Sequence, residues 1–151
     1  MQYRNLGRSG LKVSPICLGT MMFGDRTDYA EASRIVASAR GAGVNFIDTA
    51  DVYAKGESEK IVGKLIAGDR DRWVLATKVG SPMGDGPDGR GTSRRRVLRC
   101  IDESLERLGT DPTIEYYEMS EISGRSRYGG AASGAWRVRA DRGRVEEPWG
   151  G

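Results

Sequence analysis

Histidine is missing altogether from the 151 residues, and there are only two cysteines, Cys17 and Cys100. Without histidine, a Ser-His-Asp or Cys-His nucleophile system is excluded, as is a zinc site built on imidazole. Two cysteines far apart in sequence make neither a disulfide scaffold nor a metal site, so free thiols in a cytoplasmic protein are expected. No apolar run approaches the ~18 residues of a membrane span. Nor does an apolar stretch follow Met1-Gln2-Tyr3-Arg4, as a signal peptide would require. Any acid–base chemistry must fall to Tyr, Lys, Asp or Glu. What is present, 38% hydrophobic and 30% charged residues, suits one domain able to bury a core and excludes wholesale disorder. The net charge of +3 is a mild excess that barely suggests an anionic partner.

The first 111 residues are tightly patterned. Segments 1–6 and 11–13 flank Gly7-Arg8-Ser9-Gly10 and predict a short hairpin. A strand is expected over 13–18 despite Pro15, closed by Gly19. Asp28 with Glu31 is capping-box-like, and Ala32, Ile35, Val36 and Ala39 behind it form one apolar helix face, stopped by Gly41 and Gly43. A strand over 44–47 runs into the polar Asp48-Thr49. A second helix carries Ile61, Val62, Leu65 and Ile66 to Gly68, with Ser58 or Glu57 near its cap. Another strand covers 73–79, and after a Gly/Pro/Asp-rich loop Ser93 caps a third helix with Val97, Ile101, Leu105 and Leu108 inward and Gly109 as its stop. The order hairpin, β, α, β, α, β, α predicts a parallel sheet covered by helices.

Residues 113–119 read as a fourth strand. Beyond them, 124–151 holds seven Gly and six Arg but no Leu, Ile or Phe. That is too little apolar surface to offset ~1–2 kcal/mol per residue of backbone ordering. A poorly ordered tail is therefore expected over 121–151. Smaller features read blandly. Cys17 is expected to be a small buried residue, and Arg94-Arg95-Arg96 the solvated first turn of a helix. Neither that cluster nor the Arg-rich tail carries a nucleic-acid module pattern.

In a parallel α/β sheet, functional groups gather at the C-terminal strand ends. Gly19-Thr20-Met21, Asp48-Thr49-Ala50 with Tyr53, and Thr77-Lys78 all lie at such ends. A Lys ammonium beside a Tyr hydroxyl stabilises the phenolate left by proton donation, and Asp48 paired to Lys78 would hold the amine charged and oriented. Such a trio suits proton donation to a developing alkoxide. Each residue alone is more often a solvated strand end, a turn former or a surface ion pair; it is their occurrence at successive strand ends that points to a site.

Six runs carry a family pattern: Tyr3-Arg4-Asn5-Leu6-Gly7-Arg8-Ser9-Gly10-Leu11-Lys12-Val13-Ser14, Leu18-Gly19-Thr20-Met21-Met22-Phe23-Gly24, and Gly43-Val44-Asn45-Phe46-Ile47-Asp48-Thr49-Ala50-Asp51-Val52-Tyr53, then Gly56-Glu57-Ser58-Glu59, Ala76-Thr77-Lys78 and Ser104-Leu105-Glu106-Arg107-Leu108-Gly109-Thr110-Asp111. Through them residues 2–111 resemble the N-terminal half of the aldo-keto reductase family, in its bacterial, potassium-channel-β-subunit-like branch. The resemblance implies a (β/α)8 barrel, here partial with about four βα units, and NADPH-dependent reduction of small carbonyl compounds. It further implies Asp48 as the catalytic Asp, Tyr53 as general acid and Lys78 as the partner that eases loss of its proton. Gly19, Thr20, Met21 and Asp48 would flank the nicotinamide end of the cofactor.

Two departures from the family pattern stand out. The family's histidine after the fourth strand has no counterpart in Tyr116-Tyr117-Glu118-Met119-Ser120-Glu121. The Ser-Asn that binds the nicotinamide amide is approached by 127–138 without its Asn. A complete barrel takes ~250 residues. The expectation is thus an N-terminal half barrel over 1–120 with a truncated or frameshifted C-terminus and impaired activity. The alternative is a non-catalytic fragment that self-associates through open strand edges or docks on a full-length relative.

Overall fold

The computed structural model describes residues 1–7, 9–86 and 89–109, together with the backbone of two further strands, Thr113–Met119 and Ala135–Arg139. The chain opens with a hairpin in which β1 (Arg4–Asn5) pairs antiparallel with β2 (Lys12–Val13), Arg4 opposite Val13. The strand expected over 13–18 is split. Val13 ends the hairpin, and β3 is only Leu18–Gly19. Pro15 has no N–H to give a ladder, and Ser14 turns to Asn45 instead, its N–H donating to Asn45 Oδ1 at 2.7 Å.

Three helices then alternate with strands. In α1 (Tyr29–Gly41), the Asp28 side chain accepts from the Glu31 N–H, and Ala32 and Val36 are buried. The helix runs through Gly41 and is stopped by Gly43, at φ +83°. β4 (Phe46–Asp48) leads through a 3-10 turn at Tyr53–Gly56 into α2 (Glu57–Ile66), and a second 3-10 turn over Ala67–Arg72 leads into β5 (Val74–Val79). Ser93 caps α3 (Arg94–Leu108) by accepting from the Arg96 N–H, and Gly109 closes it in the left-handed region. The expected stripe of α3 faces the core, with Ile101 and Leu108 buried and Val97 and Leu105 half-buried against it, and Arg96, Cys100 and Ser104 are buried beside it.

β6 (Thr113–Met119) and β7 (Ala135–Arg139) complete a five-stranded sheet in the order β3-β4-β5-β6-β7. The pairs from β3 to β6 are parallel, each joined by a helix, so the described fold is α/β with three full βα units and a fourth parallel strand. β7, a strand within the stretch expected to be poorly ordered, runs antiparallel to β6. A parallel return needs a crossover, usually a helix, and 120–134 contains four Gly and no apolar helix face. Apart from β7, the tail expected over 121–151 lies outside the described residues.

Register fixes what faces what. Leu18, Ile47 and Leu75 share one row and pack into the core with Val36, Val62, Ile66, Ile101 and Leu108. Because side chains alternate along a strand, Gly19, Asp48 and Ala76 form the next row on the opposite face, and Lys78 follows Ala76 on it. α2 and α3 pack tightly at Gly63, where a Cβ would collide with the Leu108 backbone.

Candidate active site

Asp48, Tyr53 and Lys78 meet above the C-terminal rim of the sheet. Lys78 Nζ donates to Asp48 Oδ2 at 2.5 Å, to the Thr49 carbonyl at 2.9 Å and to Tyr53 Oη at 3.2 Å. The ammonium also lies 5.0 Å from the centre of the Tyr53 ring. Burial pulls the Lys78 amine down, but its hydrogen bond and ion pair with Asp48, helped by Tyr53, outweigh this and raise it above the usual lysine value. It is therefore charged at neutral pH.

The local backbone explains how Tyr53 reaches Lys78. After β4 the chain folds back, with Tyr53 N–H donating to Ala50 O, and then enters three consecutive left-handed residues, Ala54, Lys55 and Gly56, at φ 48°, 55° and 92°. A left-handed conformation costs a non-glycine residue about 1 kcal/mol or more and is held only where surrounding structure dictates it. At Gly56 only glycine fits, because a Cβ would come within 2.7 Å of the Arg107 side chain.

The proposed cofactor neighbours fare differently. Gly19 is exposed beside Asp48, and nothing lies within 4 Å of where its Cβ would be. A flat ring could therefore approach the bare backbone next to the trio. Met21 is 55% exposed at the same rim. Thr20, by contrast, is fully buried beneath it. Its hydroxyl and N–H both meet Asp48 O, and its carbonyl accepts from Ser58 Oγ. The open glycine beside oxygen and ammonium groups fits the reacting end of an organic cofactor. Among the described residues no group of His, Cys, Asp and Glu could hold a metal ion.

A second polar layer, which sequence reasoning missed, supports the trio from the helix side. Thr20 Oγ1 and Thr49 Oγ1 each lie 3.0 Å from Ser58 Oγ. Next to them Thr77 Oγ1 donates to Glu59 Oε1 at 2.6 Å, while Arg107 Nε donates to Glu59 Oε2 at 2.6 Å and Arg107 Nη2 to Ser104 Oγ. Ser58 or Glu57 was expected near the helix cap, and both directly follow the cap residue Gly56, which makes no side-chain bond; Ser58 there also ties two strand ends together. The signal was available: Ser58 and Glu59 fall on the same helical face as Val62 and Ile66, where polar residues are out of place unless bonded.

Two further expectations are corrected. Cys17 is exposed rather than buried, because it lies on the sheet face turned away from the helices, next to Gly19's row. The adjacent sheet still pushes its thiol up to about 11 by burial, with the Asp48 carboxylate adding to the rise and Lys78 opposing it. Arg96 is not solvated like its neighbours Arg94 and Arg95. It is 2% exposed, and Nη2 donates to Ser81 O.

Comparison with known proteins supplies independent information. Residues 15–123 match the pattern of the aldo/keto reductase family. "Uncharacterized oxidoreductase YrpG" of Bacillus subtilis is 44% identical over 137 residues, covering 83% of this chain and 42% of that protein. "Probable voltage-gated potassium channel subunit beta" of Arabidopsis thaliana is 43% identical over 117 residues, covering 74% of this chain and 35% of that one. The solved aldo-keto reductase AKR11C1 from Bacillus halodurans, in a holo form, is 38% identical with a TM-score of 0.71, over 82% of this chain and 42% of that chain. The chain spans about two fifths of the length of the curated relatives it matches.

Proposed function

The chain belongs to the aldo/keto reductase family, a family of oxidoreductases built on the TIM barrel, and from that premise we propose that it carries the proton-donating half of an NADPH-dependent carbonyl reduction. The observation that carries this reading is the single ammonium of Lys78 bonded at once to Asp48 and to Tyr53 Oη. Gly19 and Met21 would border the reacting end of the cofactor, with Asp48 beside them. NADPH, when bound, supplies the hydride that reaches the carbonyl carbon.

The chain's own part is the proton. Tyr53 Oη gives its proton to the carbonyl oxygen as charge builds there, and the O–H bond electrons stay on the phenolate. Lys78 Nζ, 3.2 Å away, attracts that phenolate by about 5 kcal/mol at an effective dielectric of ~20. Asp48 keeps the ammonium in place, since a lysine side chain is otherwise free to rotate away. With no histidine in the chain, the proton path rests on Tyr53 and Lys78. Thr20, Thr49 and Ser58 hold the strand ends that carry these residues and do not touch the substrate.

The test is a fluorescence titration of NADPH into the chain, with Lys78→Met beside it and circular dichroism as the fold control. Saturable binding that the substitution weakens tenfold or more, ~1.4 kcal/mol or above, supports the reading. Absence of saturable binding by a folded chain overturns it.

A further inference from the structure

Asp51 is a buried acidic side chain beneath the rim that the proposed chemistry leaves unused. It is 2% exposed, and no side chain hydrogen-bonds either carboxylate oxygen, only the adjacent Val52 N–H pulling on it. Buried carboxylates are almost always well bonded, so one this poorly partnered, two residues before the proposed proton donor, requires an explanation. Its backbone is tied to both working residues of the site. The Asp51 N–H donates to Lys78 O at 3.2 Å, and the preceding carbonyl, Ala50 O, accepts from Tyr53 N–H at 3.2 Å.

The carboxylate faces charge from two elements. Glu59 of α2 repels it, Arg107 and Arg96 of α3 attract it, and the Cys100 thiol of α3 lies within its field. With Asp51 ionised, its charge is attracted by Arg107 and Arg96; with Asp51 protonated, the attraction drawing the 50–53 segment toward α3 is gone.

We propose that Asp51 is a positioning residue, whose buried charge draws the turn carrying Tyr53 toward Arg96 and Arg107 and so sets the distance from Tyr53 Oη to Lys78 Nζ. The turn then has two settings, selected by the ionisation of Asp51. Burial, reinforced by Glu59, pushes the carboxyl up to about 6 against the pull of Arg107, Arg96 and the Val52 N–H, which places the change within an ordinary working range. The role assigned to Asp51 rests on the reading of Tyr53 as proton donor. Its readout needs no cofactor, so a failure of NADPH binding and a failure of this proposal are separate results.

The experiment follows the Tyr53 ring carbons and the Asp51 carboxyl carbon by nuclear magnetic resonance in the full chain, from about pH 4.5 to about pH 8. Tyr53→Phe assigns the ring signal. Both signals should move with one shared midpoint near 6. Asp51→Asn should abolish the step in the Tyr53 signal while far-ultraviolet circular dichroism is retained. Glu59→Gln, by removing the repulsion, should shift the midpoint downward. A Tyr53 signal that stays flat while Asp51 titrates overturns the proposal, as does a step that survives in Asp51→Asn. Should Asp51→Asn fail to fold, the two wild-type midpoints decide: coincidence supports the coupling, and separation by a pH unit or more refutes it.

Discussion

Replacing Arg107 by Met should destabilise the chain far more than loss of an ordinary surface arginine. Arg107 is 16% exposed in its side chain, and its partner Glu59 is 0% exposed. Glu59 Oε2 receives Arg107 Nε at 2.6 Å, while Oε1 is served by Thr77. Methionine keeps much of the stem volume over Gly56 but removes the charge, leaving a buried carboxylate half-satisfied. Breaking one side of such a pair costs ~3–5 kcal/mol. The lower end applies here, because Arg107 reaches solvent and water can follow the shortened side chain inward. A loss of ~3 kcal/mol corresponds to a fall in melting temperature of about 6–12 °C, at ~2–4 °C per kcal/mol for a chain of this size. The assay is thermal and urea unfolding followed by circular dichroism, repeated for Glu59→Gln and for the double variant. If the stranded Glu59 charge is the cause, Arg107→Met in the Glu59→Gln background should cost at least ~1.5 kcal/mol less than in the wild type. A single substitution costing under ~1 kcal/mol, or a strictly additive double variant, would refute the argument.

Other consequences can be checked with the same equipment. The carboxyl of Asp51 is raised from 3.8 to about 6 on folding, so the folded state holds that proton more tightly than the unfolded one. Its favourable contribution is complete below 3.8 and is lost as pH rises through about 6. Between about pH 4 and pH 7 the wild type should therefore lose ~2 kcal/mol relative to Asp51→Asn, and a stability difference that stays constant across that range would contradict the burial of Asp51. Gly63→Ala forces a methyl against the Leu108 carbonyl and should cost about 1–3 kcal/mol or more in urea unfolding, as overpacked sites do. Cys17, exposed but with its thiol raised to about 11, should label slowly with a thiol reagent at neutral pH. Its rate should climb about tenfold per pH unit toward that value while the buried Cys100 stays protected; rapid labelling at pH 7 would show that the sheet does not disfavour the Cys17 thiolate.

The elements themselves were written locally. Asp28, Ser93 and Gly109 mark helix boundaries through bonds that involve only neighbouring residues, so the sequence alone placed α1 and both ends of α3. The alternation of apolar strands with capped helices likewise determined the parallel order of β3 to β6, because each parallel step needs a crossover that the intervening helix provides. Strand-end position and family resemblance together singled out Asp48, Tyr53 and Lys78. What the sequence could not decide was anything that depends on side chains distant along the chain. Ser58 is bonded to Thr20, 38 residues away, and Glu59 to Arg107, 48 residues away. Whether such polar residues cap a helix locally or cross-link strands is set by which face tertiary packing buries. The same holds for α3, where Arg96, Cys100 and Ser104 are buried beside the apolar stripe. It holds also for Cys17, exposed because alternation from Leu18, anchored in the helix-side core, turns it to the opposite face of the sheet. Local pattern specifies where a chain coils and turns. Only the docked sheet and helices determine which charges are buried together, because burial is a property of the surfaces that meet.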